Sequence, residues 1–166
     1  MHLGNRDFLN DMSTKYPGNF NGAKVLELGS LDLNGTARDH FSGCQYTGID
    51  IVPGKDVDVV VAAKNTIFLP DQFDTLITMS MFEHDPTWKQ SFAHNLQWLR
   101  SGGLLIACWG AEGNLHHGPE PWKPVPAQIM WNFTKTLPIR DVDMFLEGMR
   151  YTDDCPGAWD LVAWKV

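Results

Sequence analysis

The stretch Lys24-Val25-Leu26-Glu27-Leu28-Gly29-Ser30-Leu31-Asp32-Leu33-Asn34-Gly35 reads as a short apolar strand that ends in an acid and a glycine turn. A second strand-like run, Tyr46-Thr47-Gly48-Ile49-Asp50-Ile51, ends in another acid. The separation is about the twenty residues at which nucleoside-binding α/β folds place a ribose-binding carboxylate. The glycines narrow the ligand. A dinucleotide fingerprint needs Gly-x-Gly-x-x-Gly so that the backbone can approach a pyrophosphate, and here Leu31 and Asn34 hold the second and third glycine positions. A Walker loop, with its lysine and hydroxyl for phosphate and magnesium, is missing from the whole chain. The loop therefore suits a nucleoside without phosphates. Glu27 and Asp50 would repel a pyrophosphate but tolerate a cation such as a sulfonium bearing an ammonium group.

These residues resemble the class I S-adenosylmethionine-dependent methyltransferases, in particular small type 11-like members with a Val-Leu-Glu-x-Gly-Ser opening. The resemblance continues through Phe73-Asp74-Thr75-Leu76-Ile77-Thr78-Met79-Ser80-Met81-Phe82-Glu83-His84-Asp85, similar to the family's fourth-strand segment. It continues again through Leu99-Arg100-Ser101-Gly102-Gly103-Leu104-Leu105-Ile106, similar to its "leucine, basic residue, Pro-Gly-Gly, apolar strand" segment. The motifs span Lys24 to about Gly118 in the family's order and spacing.

The resemblance implies a three-layer, Rossmann-like α/β methyltransferase fold with a mostly parallel seven-stranded sheet and an antiparallel final hairpin. It implies S-adenosyl-L-methionine as cofactor and S-adenosyl-L-homocysteine as product. Asp50 would accept two hydrogen bonds from the ribose hydroxyls, with Ile51 beside it; the alternative is an acid in the turn before Pro53-Gly54. Glu27 would sit behind the loop formed by Gly29, Ser30, Leu31, Asn34 and Gly35 and help hold the methionine ammonium. Gly29 would be the position where a side chain meets the ligand. Where the family places an acid for the adenine amino group this chain has Ala62, leaving the Ala63 amide or Asn65 to serve. Met79 and Ser80 would lie against the methionine half, unless Met79 is core packing. His84 and Asp85 follow at the mouth as candidate catalytic groups, His84 either as general base or as a structural histidine. His117, on the loop after strand five, is a candidate acceptor contact.

Composition agrees. At 166 residues the chain is read as one domain, 1–166, with an ordinary 43% hydrophobic content. A net charge of −7 and no basic cluster argue against nucleic acid as partner and leave a small-molecule acceptor. Cys44, Cys108 and Cys155 are widely spaced and form no Cys-x-x-Cys pair, so they read as buried thiols in a reducing compartment, with no metal site. His116-His117 alone is not a metal pair. No run approaches membrane-spanning length, and the protein is read as cytoplasmic.

Along the chain, spacing predicts a helix over 5–15, a strand over 23–28, a helix over 36–41 capped by Asn34, and strands over 45–51 and 57–61. Only about ten residues then precede the strand over 73–79, so that crossover is trimmed to a turn. A helix starts at Asp85-Pro86, buries Trp88, Phe92, Leu96 and Leu99, and ends at Ser101-Gly102-Gly103 before a strand over 104–109. Helices over 127–137 and 140–146 precede a hairpin of strands over 149–154 and 158–166. Trp109, Trp122 and Trp131 are candidates for an aromatic acceptor pocket. The short first helix and the trimmed crossover leave little material for a lid, so acceptor selection falls to the loop after strand five, to a homodimer or to another partner. The competing function is an S-adenosylmethionine-binding accessory or regulatory protein without turnover, motivated by Ala62 and the reduced lid.

Overall fold

The apolar stripe Phe8, Leu9 and Met12 buries one side of α1 (Leu3–Lys15), and Pro17 then opens the short α2 (Pro17–Phe20). The computed structural model describes residues 3–110, 121, 123–147 and 158–166. Its strands are β1 (Lys24–Leu28), β2 (Gln45–Asp50), β3 (Val59–Val60), β4 (Phe73–Met79), β5 (Leu99–Gly110), β6 (Ile139–Glu147) and β7 (Ala158–Lys165). They form one seven-stranded sheet in the order β3-β2-β1-β4-β5-β7-β6. β1 to β5 pair in parallel, while β7 runs antiparallel to both β5 and β6. This is the expected α/β architecture with an antiparallel end.

Both faces of the sheet centre are covered, which is why β5 is apolar almost without interruption and buried from Leu104 to Trp109. On one face Phe8, Leu9 and Phe20 pack over Val25, Ile77, Leu104 and Ile106. On the other, α3 (Trp88–Leu96) and α4 (Ala127–Thr134) set Phe92, Leu96 and Met130 over Leu26, Leu76, Leu105 and Leu161. Between β3 and β4 the chain makes only a 3₁₀ turn, Ala63–Asn65, so that crossover is trimmed as expected.

Four local expectations are corrected. The helix expected over 36–41 is a single 3₁₀ turn, Ala37–His40, and its cap is Thr36 rather than Asn34, the Thr36 hydroxyl accepting the Arg38 amide at 3.2 Å. The helix goes no further because Phe41 is already extended and Ser42 bridges in parallel to Asn21. Leu99 is not on α3 but begins β5, opposite Phe73; the chain bulges at Arg100–Gly103 before pairing resumes at Thr75 and Leu104. Gly102, at φ 69°, turns that bulge instead of capping the helix. The segment 140–146 is strand, not helix, because Ile139, Val142 and Met144 face the core while Asp141 is taken up in a bulge at φ 51°. The strand expected over 149–154 lies outside the described residues, as does Cys155. Cys108 is buried and Cys44 half-buried. Among the described residues no helix is long and apolar enough to cross a membrane.

Candidate active site

A cavity of about 620 Å³ opens at the carboxyl ends of β1, β2 and β4. Its floor is the loop after β1. Gly29 and Ser30 donate their amides to the Ile49 carbonyl at 2.9 and 3.0 Å, and Asp32 donates its amide to the Lys55 carbonyl at 3.1 Å. Asp32 then accepts the Gly35 amide at 2.6 Å and pairs with Lys55, and that hydrogen bond to the ammonium holds its carboxyl below the usual range. Gly29 is needed on two counts: its φ is 76°, and a Cβ there would stand 2.8 Å from Met81 Cβ and Cγ. Within the protein itself, the atoms such a side chain would meet belong to Met81.

Asp50 closes the tip of β2. Its Oδ2 accepts the Leu31 amide at 3.3 Å and its Oδ1 accepts the Val52 amide at 3.0 Å. One carboxylate thereby fixes both loops while each oxygen keeps a lone pair for another donor. Glu27 lies deeper, buried on β1, and accepts the Tyr46 hydroxyl at 2.9 Å. Burial outweighs that hydrogen bond and the nearby Arg38, and pushes the Glu27 carboxyl up to about 8. The Ser30 hydroxyl is buried in the cavity lining with no hydrogen-bond partner among the described residues.

On the β4 side Met79 and Ser80 line the cavity, Ser80 at φ 57° with its amide on the Cys108 carbonyl at 2.8 Å. His84 ends the 3₁₀ turn Phe82–His84 and lines the mouth, half-buried. Asp85 also lines it, but both of its oxygens are engaged. Oδ1 accepts the Thr87 amide and hydroxyl, each at 2.7 Å, and Oδ2 accepts the Ser91 hydroxyl at 2.5 Å. It braces the turn that leads into α3 but does not cap it: the N-cap is Thr87, so the helix begins at Trp88 and not at Asp85-Pro86 as expected from the sequence.

All the cofactor-contact candidates, Glu27, Gly29, Ser30, Leu31, Asn34, Gly35, Asp50, Ile51, Ala62, Ala63, Met79 and Ser80, line this one cavity with His84 and Asp85. His117 lies outside the described residues. Asn65 is exposed and does not line the cavity, its amide closing the 3₁₀ turn on the Ala62 carbonyl at 2.8 Å. Trp109 is a core residue donating to the Val125 carbonyl at 2.9 Å, and Trp131 lines a separate shallow groove with Met144 and Trp159. Trp122 lies outside the described residues. Sequence reading passed over Asn5, Lys64 and Met81, which also line the cavity. Asn5 had a signal: it continues the stripe of Phe8, Leu9 and Met12, so a polar group was bound to face inward. Its Oδ1 accepts the Cys108 thiol at 3.2 Å. Among the described residues no cluster of His, Cys, Asp and Glu could hold a metal ion.

No family model matches the chain, and no curated protein matches it. Solved structures do. The chain superimposes on the 1,6-didemethyltoxoflavin-N1-methyltransferase of Burkholderia thailandensis, crystallised with 1,6-didemethyltoxoflavin and S-adenosylhomocysteine. The TM-score is 0.73 at 13% identity, over 99% of this chain and 79% of that one. A SAM-dependent methyltransferase from Archaeoglobus fulgidus matches with TM-score 0.69 at 17% identity, over 96% and 94% of the two chains. The fold is that of the class I methyltransferases. It also matches the [4+2]-cyclase SpnF, with TM-score 0.74 at 13% identity over 96% and 80% of the two chains.

Proposed function

We propose that the protein is an S-adenosylmethionine-dependent methyltransferase acting on a small molecule, as a single domain over 1–166. The observation that carries this reading is the convergence of a glycine loop, a doubly anchored Asp50 and a buried Glu27 on one cavity in a class I methyltransferase fold. The residues fit the cofactor: Asp50 for a ribose, Glu27 for a cationic end, and the Ser30 hydroxyl, which has no partner among the described residues, for a polar group in the loop. When bound, that cofactor supplies an electrophilic methyl group on a sulfonium. Asp50 and the amides it fixes orient the nucleoside; Met79 and Ser80 wall the reacting end. His84 stands where an acceptor approaches and can take its proton. Asp85 holds the turn into α3 through Thr87 and Ser91, while its Oδ2, with a single donor, keeps a lone pair that could take a proton. Alignment and exclusion of water supply much of the rate in such a displacement. The negative charge and the absence of a basic cluster support a small acceptor over a nucleic acid.

Calorimetry with S-adenosylmethionine and S-adenosylhomocysteine tests the binding half, with saturable binding expected. A metabolite screen monitored by S-adenosylhomocysteine release tests the chemistry. Once an acceptor is found, His84→Ala should lower the chemical step about a hundredfold while leaving cofactor affinity nearly intact; wild-type turnover would leave alignment alone as the mechanism. The second reading, binding without methyl transfer, is favoured by the likeness to SpnF, a cyclase by name. It predicts binding of labelled cofactor with no conversion in any cell extract.

A further inference from the structure

Glu27 lines the cavity with only 3% of its surface exposed. A buried carboxylate needs partners, because an unpaired charge away from water is far costlier than an apolar group. The Tyr46 hydroxyl, from β2, donates to Glu27 Oε2 at 2.9 Å. The Arg38 guanidinium lies 4.7 Å from the centre of the Tyr46 ring. Arg38 is itself held by the Asp58 carboxylate at 2.5 Å and the Asp56 carbonyl at 3.2 Å, and the Gly48 amide fixes Asp58 at 2.7 Å. The chain of contacts thus runs from the cavity floor to the β2–β3 loop. The charged groups acting on Glu27 are Arg38, which favours its ionised form, and Asp56 and Asp50, which oppose it. Its register neighbour on β4, Ile77, and the cavity-lining residue of α1, Asn5, bring no charge.

We propose that Tyr46 and Arg38 are positioning residues that hold Glu27 as a proton-exchanging receptor for the positive end of the ligand, so that binding expels a proton from Glu27. The proposal rests on the S-adenosylmethionine reading and deepens it. Burial keeps the Glu27 carboxyl near 8, so at neutral pH the empty cavity holds it mainly as the neutral acid. A cation arriving beside it restores the carboxylate, the proton leaves for solvent, and no other bond changes. Tyr46 aims the carboxylate; Arg38, anchored by Asp58, holds Tyr46.

Titration calorimetry of the full chain with S-adenosylmethionine, in two buffers of different ionisation enthalpy, should show close to one proton released at about pH 7. Affinity should rise roughly tenfold between about pH 6 and 7, then flatten as the ligand's own amino group titrates near 7.7–8.0. 5′-Methylthioadenosine lacks the charged end and should bind with neither proton release nor pH slope. Glu27→Gln should abolish both for S-adenosylmethionine. Tyr46→Phe should weaken S-adenosylmethionine about tenfold at neutral pH and leave 5′-methylthioadenosine unchanged, since one hydrogen bond to a charged group is lost; a merely structural role would weaken both equally. The wild-type measurement needs no variant to fold. Binding of S-adenosylmethionine without proton release, or an unchanged pH slope in Glu27→Gln, overturns the proposal while the cofactor reading stands; no binding at any pH overturns both.

Discussion

The two sides of the sheet are held together differently. From β1 to β3 the chain builds its connections from turns. Asp32, Asp50 and Asp58 each accept a backbone amide there, and the rim leaves Leu33, Ile51 and Val52 exposed. From β4 to β7 the connections carry α3 and α4, and the strands bury Leu105, Ala107, Trp109 and Leu161 completely. In the loops of the first side directional bonds to carboxylates predominate, whereas the second rests mainly on apolar contact between helices and strands, with Asp85 before α3 as a carboxylate exception. Apolar packing sets overall stability, whereas carboxylate bonds set local shape and respond to protons. Substitutions on the two sides should therefore fail in different ways.

The largest effect belongs to the packed side. Trp109→Ala should cost about 3–5 kcal/mol in denaturant unfolding, from lost burial and a cavity, with cofactor affinity of the folded fraction preserved. Next comes the buried acid of the other side. The Glu27 carboxyl sits at about 8 in the folded protein against an ordinary 4.5, so the folded form binds the proton more tightly. That contribution to stability is complete below the ordinary value and is lost as pH rises through about 8. Glu27→Gln cannot ionise and should escape the loss. Its advantage over the wild type should grow to about 4 kcal/mol by roughly pH 9, measured by unfolding across pH; equal pH curves would mean that water reaches Glu27.

Gly29→Ala should cost about 1–3 kcal/mol, combining a left-handed backbone with the collision against Met81. Adding Met81→Ala should recover only the share due to Met81 Cγ, because the alanine Cβ still stands 2.8 Å away, so a double-mutant cycle isolates that share from the backbone and Cβ terms. The smallest effect is Asp50→Ala, which should weaken S-adenosylmethionine about tenfold, or roughly 1.4 kcal/mol, with little change in the unfolding midpoint. If Asp50→Ala instead unfolds the chain, the carboxylate bonds carry stability as well as shape, and the contrast between the two sides narrows.

Most strands were legible because their apolar runs are short and bounded by turn residues: β1, β2, β4 and β7 lie close to where the pattern puts them. β6 was not. Val142, Phe145 and Leu146 fall at helical spacing, and alternation emerges only once the bulge at Asp141 takes one residue out of register. Leu99 misled for a related reason: spaced to continue the stripe of α3, it is buried equally well as the first residue of β5. The cavity was legible at the loop and at Asp50, where acids and glycines have few other reasons to coincide. It was not legible at Lys64, which reaches the lining through a 3₁₀ turn with no periodic signal, nor at Met81, whose place is set by contact with Gly29.

In the strand order, a single ladder joins β1–β3 to the remainder, the pairing of Val25–Leu28 with Thr75–Thr78. Closing it draws together segments some fifty residues apart, an entropic toll that shorter-range pairings escape. Formation of this seam is expected late in refolding, as is that of the β5–β7 ladder with its comparable separation, and its amides, on strands buried on both faces, should be among the last to exchange with solvent. Asp50 stands on one bank and Ser80 on the other. A molecule touching both is a clasp: at about a hundred times its dissociation constant it would add roughly 2.7 kcal/mol, and slowed hydrogen exchange along Val25–Leu28 should register it.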